Sequence, residues 1–208
     1  MDTDASTPLR ALALVCTLSP GPARSSSQLL ADQTMAALSE HGVTGRTVRV
    51  VDHDVKPGVK TDLGDGDAWP EIRQAMLDAD ILVLATPIWL GHPSSVAQRV
   101  LERLDAELSE SDDEGRMLTY GKVAAVCVVG NEDGAHKVSA DLYQGLNDVG
   151  FSLAPNAVTY WVGEAMQGTD YQDLESTPEK TAATTRTLAA NTAHLARRLK
   201  SAPYPPSS

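Results

Sequence analysis

The sequence predicts an α/β fold, a three-layer sandwich in which a five-stranded parallel sheet of order 2-1-3-4-5 carries helices on both faces. Short apolar runs bounded by turn residues alternate with longer stretches of helical period, the pattern of β–α–β units around a parallel sheet. With 208 residues and 42% hydrophobic content, the chain can bury one substantial core but is short for two domains. The strand order follows because right-handed crossovers leave few arrangements of five alternating strands and helices.

The first half of the chain contains three predicted strands and two helices. An apolar run over 10–17 forms the first strand, and after a loop rich in Ser, Pro and Gly a helix covers 26–40. Residues 46–51 form the second strand, and a loop rich in Gly, Pro and Asp leads to a helix over 70–78 that begins at a proline. Residues 80–86 are apolar on both faces, which indicates the central strand of the sheet.

The second half repeats the alternation. A helix is predicted over 94–108, a buried strand over 122–129 and a helix over 136–149. The fifth strand covers 157–162, and after a long loop a final helix runs over 178–200. We therefore expect a single domain over residues 9–200, a flexible N-terminus over 1–8 and a disordered tail over 201–208.

The charge of the chain argues against two classes of partner. A formal net charge of -11 and a pI near 4.8 oppose loose binding to nucleic acid or to an anionic membrane, which depends on clustered Lys and Arg. The N-terminus has no basic segment, and its apolar run over 11–16 is too short for a signal peptide or a membrane span. We expect a cytoplasmic protein that contacts neither nucleic acid nor membrane.

The two cysteines point to no metal or redox site. Cys16 and Cys127 lie inside apolar runs and lack the spacing of zinc or iron–sulfur ligands. On non-adjacent strands of one sheet they would be about 9 to 10 Å apart, too far for a disulfide. We predict that both are small buried hydrophobic residues and that the protein holds no metal.

Three loops are expected to meet at one edge of the sheet. In the strand order 2-1-3-4-5, which is that of flavodoxin-like folds, ligands bind outside the carboxyl ends of the strands, and FMN lies beside strands 1 and 3. The loops after strands 1, 3 and 4 should therefore form the site. They carry the most unusual residues of the chain.

The first of these loops suits an anion. Between strand and helix, the segment 19–27 places exposed backbone amides, four serines and one arginine at the positive end of a helix dipole. The alternative is that Ser26 or Ser27 only caps the helix. The loop lacks the glycine pattern of dinucleotide-binding folds and the lysine of P-loop proteins.

The second loop, residues 86–93, offers an aromatic surface. Two prolines stiffen it, and Trp89 has a flat apolar face of the kind that packs against an isoalloxazine ring. The alternative is that Trp89 fills the core or a subunit interface. His92 could donate a proton or contact a substrate, although a lone histidine in a loop is more often simply solvated.

The third loop, residues 130–136, could face the edge of a flavin. Gly130 and Gly134 allow the backbone to pass close to a ligand, and the Asn131 side chain could pair with the pyrimidine carbonyl and N–H groups. The alternative is an ordinary turn in which Asp133 caps the following helix. Taken alone, this loop does not decide between the two interpretations.

With these motifs the sequence resembles the NADPH-dependent FMN reductase family of flavodoxin-like proteins over about residues 10–162. The first loop is similar to the family's G-S-x-R-x-x-S phosphate motif through Ser19, Arg24, Ser25 and Ser27. The second resembles its T-P-[IE]-[YW]-x-G element, and the third its G-x-x-x-G segment. The chain lacks the cysteine motif that adds an iron–sulfur cluster in some relatives.

The resemblance implies FMN as cofactor and NADPH or NADH as reductant. The cofactor contacts that we expect on this basis are Ser19, Arg24, Ser25, Ser26, Ser27, Pro87, Ile88, Trp89, Leu90, Gly91, Gly130, Asn131, Glu132, Asp133 and Gly134. It also implies a homodimer or homotetramer with the flavin at a subunit boundary, where the loop over 162–177 could cover the flavin of a neighbouring chain.

The function expected from sequence is FMN-dependent transfer of hydride from NAD(P)H to a small-molecule electron acceptor, a quinone, a flavin or another compound. The flavin carries this chemistry, so no catalytic side chain is assigned, and roles for His92 and His136 in proton transfer stay open. A flavodoxin-type electron shuttle is the second possibility, because acidic surfaces guide docking to basic redox partners. A protein that keeps the fold but has lost the cofactor is the third.

Overall fold

A computed structural model describes residues 8–165 and 167–206 and contains one sheet of six strands. Their path order is β2-β1-β3-β5-β6, all parallel, and the short β4 pairs antiparallel with the end of β3. With β4 set aside, this is the predicted order 2-1-3-4-5, so the fold class is confirmed. The strands are β1 (Leu9–Val15), β2 (Val43–Arg49), β3 (Ile81–Trp89), β4 (His92–Pro93), β5 (Val123–Gly130) and β6 (Ser152–Val162).

Five α-helices cover the two faces of this sheet. They are α1 (Ser26–Ser39), α2 (Trp69–Leu77), α3 (Ser95–Leu104), α4 (Ala135–Asp148) and α5 (Glu179–Ser201). Buried side chains of α1 and α5 form one core with alternate strand residues, and those of α2, α3 and α4 form the other. In β1, Leu12 and Leu14 enter one core while Ala11 and Ala13 enter the other, which is the alternation of a strand buried on both faces.

Several strand boundaries differ from the predicted ones. The edge strand β2 begins at Val43 rather than at residue 46. Val43 is buried, but Thr44 and Gly45 after it are exposed, so the first half of the strand shows no continuous apolar run. The other edge strand, β6, begins at Ser152 rather than at residue 157. It is interrupted by an irregularity at Pro155 and Asn156, the latter with a φ of 56°. Proline at an edge bulge disrupts the sequence pattern without ending the strand.

The strand before loop two and the helix after it end at other residues than the sequence predicts. β3 continues through Trp89, beyond the predicted end at residue 86, and turns through Leu90 and Gly91 into β4. The helix predicted over 94–108 ends at Leu104 and continues as a 3-10 turn over Asp105–Ser109. Loop two is therefore a tight hairpin rather than an irregular connection.

The chain ends and the cysteines complete the comparison. Residues 1–7 of the expected N-terminal segment and residues 207–208 of the tail lie outside the described residues, while Tyr204 packs edge to face on Tyr120 with centroids 5.7 Å apart. Cys16 and Cys127 are free and buried, as predicted, and burial raises the pKa of both thiols. Among the described residues, no helix combines the length and apolar character needed to cross a membrane.

A buried ion pair fixes the long connection between β2 and α2. Arg103 of α3 donates to Asp67 at 2.8 Å, and both side chains are fully buried. The guanidinium also donates to the Lys56 carbonyl at 2.9 Å and lies 5.6 Å from the centroid of the Trp69 ring. The connection is thereby held against the last turn of α3.

Candidate active site

A cleft of about 300 Å³ opens at the carboxyl ends of β1, β3 and β5, where the three loops were expected to meet. Its volume lies within the range of small-molecule sites. Most of the predicted contacts lie in its wall. They are Ser19, Arg24, Ser25, Ser26, Ser27, Pro87, Ile88, Trp89, Gly130, Asn131 and Glu132.

The first turn of α1 forms the polar end of the cleft. The Ser25 hydroxyl accepts from the Gln28 amide at 3.3 Å and so caps the helix, which leaves Ser26 and Ser27 in the first turn with the positive end of the helix dipole. Ser27 is buried in the wall of the cleft. The helix is thus capped by Ser25, not by Ser26 or Ser27 as in the alternative interpretation of this loop.

Residues at the end of β2 hold the first loop in place. The Arg49 guanidinium donates to the Ala23 carbonyl at 2.8 Å, and the Gly21 amide donates to the Asp52 carboxylate at 2.8 Å. A loop that leaves its strand and returns to a helix without secondary structure of its own needs such external partners for its backbone. The conformation of the first loop therefore depends on β2 as well as on β1.

Part of the long loop after β6 lies at the same end of the cleft. Residues 170–173, here called the strap, follow β6 and lie against the start of α1. Arg24 donates to the Asp173 carboxylate at 2.7 Å and also to the Gln172 carbonyl, and the Gln172 amide donates to the Ser26 hydroxyl at 3.3 Å. The strap thus covers part of the cleft of its own chain.

Tyr171 anchors the strap. Its hydroxyl donates to the Gln33 side chain of α1 at 2.6 Å, and its ring lies 5.4 Å from that of Trp161, centroid to centroid. Burial raises the pKa of Tyr171, so its hydroxyl stays protonated as a donor. Tyr171 and Trp161 together form an aromatic wall between the strap and β6.

The opposite end of the cleft is apolar and lies on the β3–β4 hairpin. Ile88 is buried beneath it, whereas Trp89 remains 55% exposed beside the opening. This exposure excludes the alternative that Trp89 fills the core of its own subunit. A flat indole face is therefore available beside the cleft for an aromatic ligand.

Loop three serves both the cleft and the hairpin. A Cβ at Gly130 would lie 2.8 Å from the Cβ of Ile88, and one at Gly134, with a φ of 127°, would lie 2.9 Å from the Gly91 Cα. The two glycines thus let loop three pack closely on the hairpin, where the sequence analysis expected a close approach to a ligand. Gly134 occupies the cap position of α4 that was the alternative for Asp133.

Two residues that line the cleft each have a buried amide oxygen without a hydrogen-bond partner. Asn131 donates through Nδ2 to Asp170 at 2.7 Å, which leaves its Oδ1 unpaired, and Gln172 Oε1 is unpaired as well. A buried acceptor without a donor is costly, so such atoms indicate a ligand that carries N–H or O–H groups. The ring N3–H and the ribityl hydroxyls of FMN are donors of this kind, and the cleft fits FMN in this respect.

Some residues lie elsewhere than the sequence analysis placed them. Leu90, Gly91, Asp133 and Gly134 do not line the cleft; Leu90 is 88% exposed, and the Gly91 amide donates to Glu132 at 3.3 Å. His92 and His136 also lie outside the lining. Nδ1 of His92 is 3.1 Å from Nζ of Lys137, and Nε2 of His136 is 3.2 Å from the Tyr160 hydroxyl. Within the described ranges, no three His, Cys, Asp or Glu side chains are grouped to hold a metal ion.

The lining residues that sequence reasoning missed are Thr17, Leu18, Val129, Trp161, Asp170, Tyr171 and Gln172. Leu18 and Val129 immediately adjoin predicted contacts, so wider windows around the loops would have included them. The length of the loop after β6 indicated a function, but no pattern in it specified which residues would return to α1.

The family model described as NADPH-dependent FMN reductase matches residues 9–167. The 8-demethyl-8-aminoriboflavin-5′-phosphate synthase of Streptomyces davaonensis is 37% identical over 208 residues, covering 94% of this chain and 80% of that protein. A protein of Mycobacterium bovis named divalent metal cation transporter MntH is 38% identical over 92% of this chain. The chain spans only 29% of that protein, so its name describes mostly sequence without a counterpart here.

The solved structures agree with these matches. RosB with bound intermediate OHC-RP, 8-demethyl-8-formylriboflavin-5′-phosphate, has a TM-score of 0.85 and 37% identity, covering 94% of this chain and 82% of that one. A flavodoxin from the domain Archaea, with a TM-score of 0.54 and 8% identity over 88% of this chain and 99% of that one, shares the fold alone. The chain therefore belongs to the NADPH-dependent FMN reductase family, flavodoxin-like oxidoreductases whose flavin is FMN, as the sequence predicted.

Proposed function

We propose that the cleft binds FMN and that the protein uses it to transfer hydride from NADPH or NADH to a small acceptor, a quinone, a flavin or another compound. The observation that carries this proposal is that one end of the cleft is polar and the other is apolar. One end has the first turn of α1 with its serines and Arg24, and the other has the apolar hairpin with Trp89. Such a gradient matches a ligand with a phosphate at one end and an aromatic ring at the other.

The residues of this chain would hold the flavin in three ways. The amides of the first turn of α1, with Ser27, would bind the phosphate. Ile88 and Trp89 would pack against the ring, and Asn131 would accept from its N3–H group. Bound FMN supplies the hydride chemistry, and the protein contributes position, hydrogen bonding and exclusion of water.

The first experiment is an absorbance spectrum of purified protein with added FMN, followed by anaerobic NADPH and then NADH. A bound flavin band at about 450 nm that either nucleotide bleaches supports the reductase, because reduction removes this band of the cofactor. Bound flavin that neither nucleotide bleaches favours the electron shuttle. Protein that takes up no flavin contradicts the proposal and favours loss of the cofactor.

A pair of matched variants tests whether the flavin phosphate binds at the first turn of α1. Ser27→Ala removes one donor to the phosphate and should weaken FMN binding by about 10- to 150-fold, since a hydrogen bond to a charged group contributes about 1.5–3 kcal/mol. Its affinity for riboflavin, which has no phosphate, should not change. Ser39→Ala is the control, because Ser39 lies at the other end of α1 and its hydroxyl donates only to Ala36. Equal effects of both variants on FMN would place the phosphate elsewhere.

A second function is favoured by the 37% identity to a synthase of a modified flavin phosphate, and by the likeness to RosB with a flavin-phosphate intermediate bound. In that case the flavin 5′-phosphate would be the substrate and its ring would be altered. Mass spectrometry of the flavin recovered after incubation with FMN, oxygen and a set of amino donors separates the two functions. A changed mass supports the synthase, and an unchanged flavin that NADPH bleaches supports the reductase.

We further propose a homodimer or homotetramer in the cytoplasm, acting without nucleic acid or membrane. Three exposed apolar side chains in the first loop and the β3–β4 hairpin support an assembly. Leu18 is 44% exposed, Trp89 55% and Leu90 88%, and such exposure is typical of subunit contacts. Light scattering after size exclusion tests this point, and a monomer at micromolar concentration would contradict it.

A further inference from the structure

Arg24 is the one cationic side chain in the described lining of the cleft. Its guanidinium is held by the strap, at 2.7 Å from Asp173 Oδ1 and by a second hydrogen bond to the Gln172 carbonyl. The side chains of Arg24 and Asp173 are 69% and 44% exposed, so both can move without disturbing the core. The positive charge of the first loop is thus already paired with a carboxylate of the same chain.

The strap also uses a serine of the same loop. The Gln172 amide donates to the Ser26 hydroxyl at 3.3 Å, and the Ser25 hydroxyl is taken by the helix cap. Asp170, the other carboxylate of the strap, lies in the lining of the cleft, whereas Asp173 lies outside it. The strap therefore brings one carboxylate into the lining and a second to Arg24, together with a partner for a serine hydroxyl that a phosphate would use.

A flavin 5′-phosphate carries a charge of about -1.5 to -2 at pH 7, like other phosphate monoesters. It binds best where an arginine can donate two parallel hydrogen bonds to it. Arg24 can do so only by releasing or sharing Asp173, and a carboxylate that stays nearby repels the phosphate. Asp173 and the phosphate are therefore alternative partners of the same Arg24 guanidinium.

We propose that Asp173 competes with the 5′-phosphate of the flavin for Arg24 and thereby keeps the flavin phosphate exchangeable. The proposal rests on the proposed binding of FMN in this cleft. It makes the flavin 5′-phosphate a ligand that enters and leaves, as a substrate or product does, rather than a permanently held group. The strap is then the element that sets how long this ligand stays.

The test measures equilibrium dissociation constants of FMN and riboflavin for wild type, Asp173→Asn and Asp173→Glu. The ratio of the riboflavin constant to the FMN constant isolates the contribution of the phosphate. Asp173→Asn should raise this ratio by about two- to fivefold, the size expected of one exposed ion pair, and should slow FMN dissociation by a similar factor. Asp173→Glu keeps the carboxylate and should leave the ratio near its wild-type value.

Glu114→Gln is the matched control. It removes one carboxylate from an exposed ion pair with Arg116, at 3.2 Å, in the turn before β5 and hence at the other end of the sheet. An unchanged ratio in Asp173→Asn, or an equal rise in Glu114→Gln, would overturn the competition while leaving FMN binding intact. Wild-type protein that binds neither flavin would instead remove the proposed function itself. Thermal melting of each variant shows whether its fold is retained.

Discussion

At the scale of single residues, the Arg103–Asp67 pair makes the stability of the fold depend on acid pH. Burial of Asp67 opposes ionisation, but the hydrogen bond from Arg103 and those from three backbone amides outweigh it and lower the pKa of Asp67 to about 2. In an unfolded chain this pKa is about 3.9. Because the folded value is the lower one, the stabilisation is fully present above about pH 4 and is lost as the pH falls towards 2.

Asp67→Asn tests this dependence. The variant leaves the buried Arg103 guanidinium without its counterion, which should lower the free energy of unfolding by about 3–5 kcal/mol at pH 7. Urea unfolding at a series of pH values should show a smaller decline for the variant than for wild type between about pH 4 and pH 2. Glu179→Gln, which breaks an exposed pair with Arg186, is the control and should change stability by less than about 1 kcal/mol. Parallel pH profiles for Asp67→Asn and wild type would contradict this assignment.

The sequence predicted the position of a residue where one short segment contained all the residues needed for the prediction. The serines of the first loop stand together between a strand and a helix, so their position at a helix N-terminus was predictable. Asp67 gave no such signal, because its partner Arg103 lies on another element. The ion pair between Arg24 and Asp173 likewise joins residues far apart in sequence, and only the folded chain brings them together.

At the scale of elements, the β3–β4 hairpin was predicted as a loop because Pro87 and Pro93 lie inside it. Proline normally ends a strand, since it has no N–H to donate. Here Pro87 stays in register opposite Val129 of β5, and Pro93 ends the two-residue strand that pairs with Ile88. Composition alone does not show which N–H groups of a strand are dispensable, so the sequence could not indicate this hairpin.

The turn of this hairpin contains a backbone strain that can be relieved. Leu90 and Gly91 have φ angles of 52° and 72°, the left-handed pair required by a two-residue turn, and Leu90 is 88% exposed. Leucine is unfavourable in this conformation, whereas asparagine tolerates it. Leu90→Asn should therefore raise the free energy of unfolding by up to about 1 kcal/mol, measured by thermal or urea unfolding.

Leu108→Asn is a suitable comparison for Leu90→Asn. Leu108 is also exposed, at 51%, but it lies in the 3-10 turn after α3 and does not have a positive φ. It should gain no stability. A gain of equal size in both variants would show that removal of surface leucine, rather than backbone conformation, is responsible. A loss in Leu90→Asn would mean that this leucine is covered in the native assembly.

At the scale of the whole molecule, the layers and strand order followed from sequence because they rest on a repeated signal. Each buried strand is a continuous apolar run, and right-handed crossovers restrict how such runs can be ordered. The strap follows from no such rule. It is a polar segment beyond the last strand, and its place over its own cleft depends on scattered contacts such as Tyr171 with Gln33.

The net charge of -11 leads to a prediction for the kinetics of flavin binding. A strongly acidic protein repels an anionic ligand at long range, and salt weakens this repulsion as the screening length falls from about 30 Å at 0.01 M to about 8 Å at 0.15 M. The association rate of FMN, followed by stopped-flow fluorescence, should therefore rise severalfold over this range. Riboflavin has no phosphate, so its rate should stay constant. If FMN instead binds more slowly as salt is added, the local field of α1 and Arg24 outweighs the charge of the whole molecule, and attraction at the cleft controls the encounter.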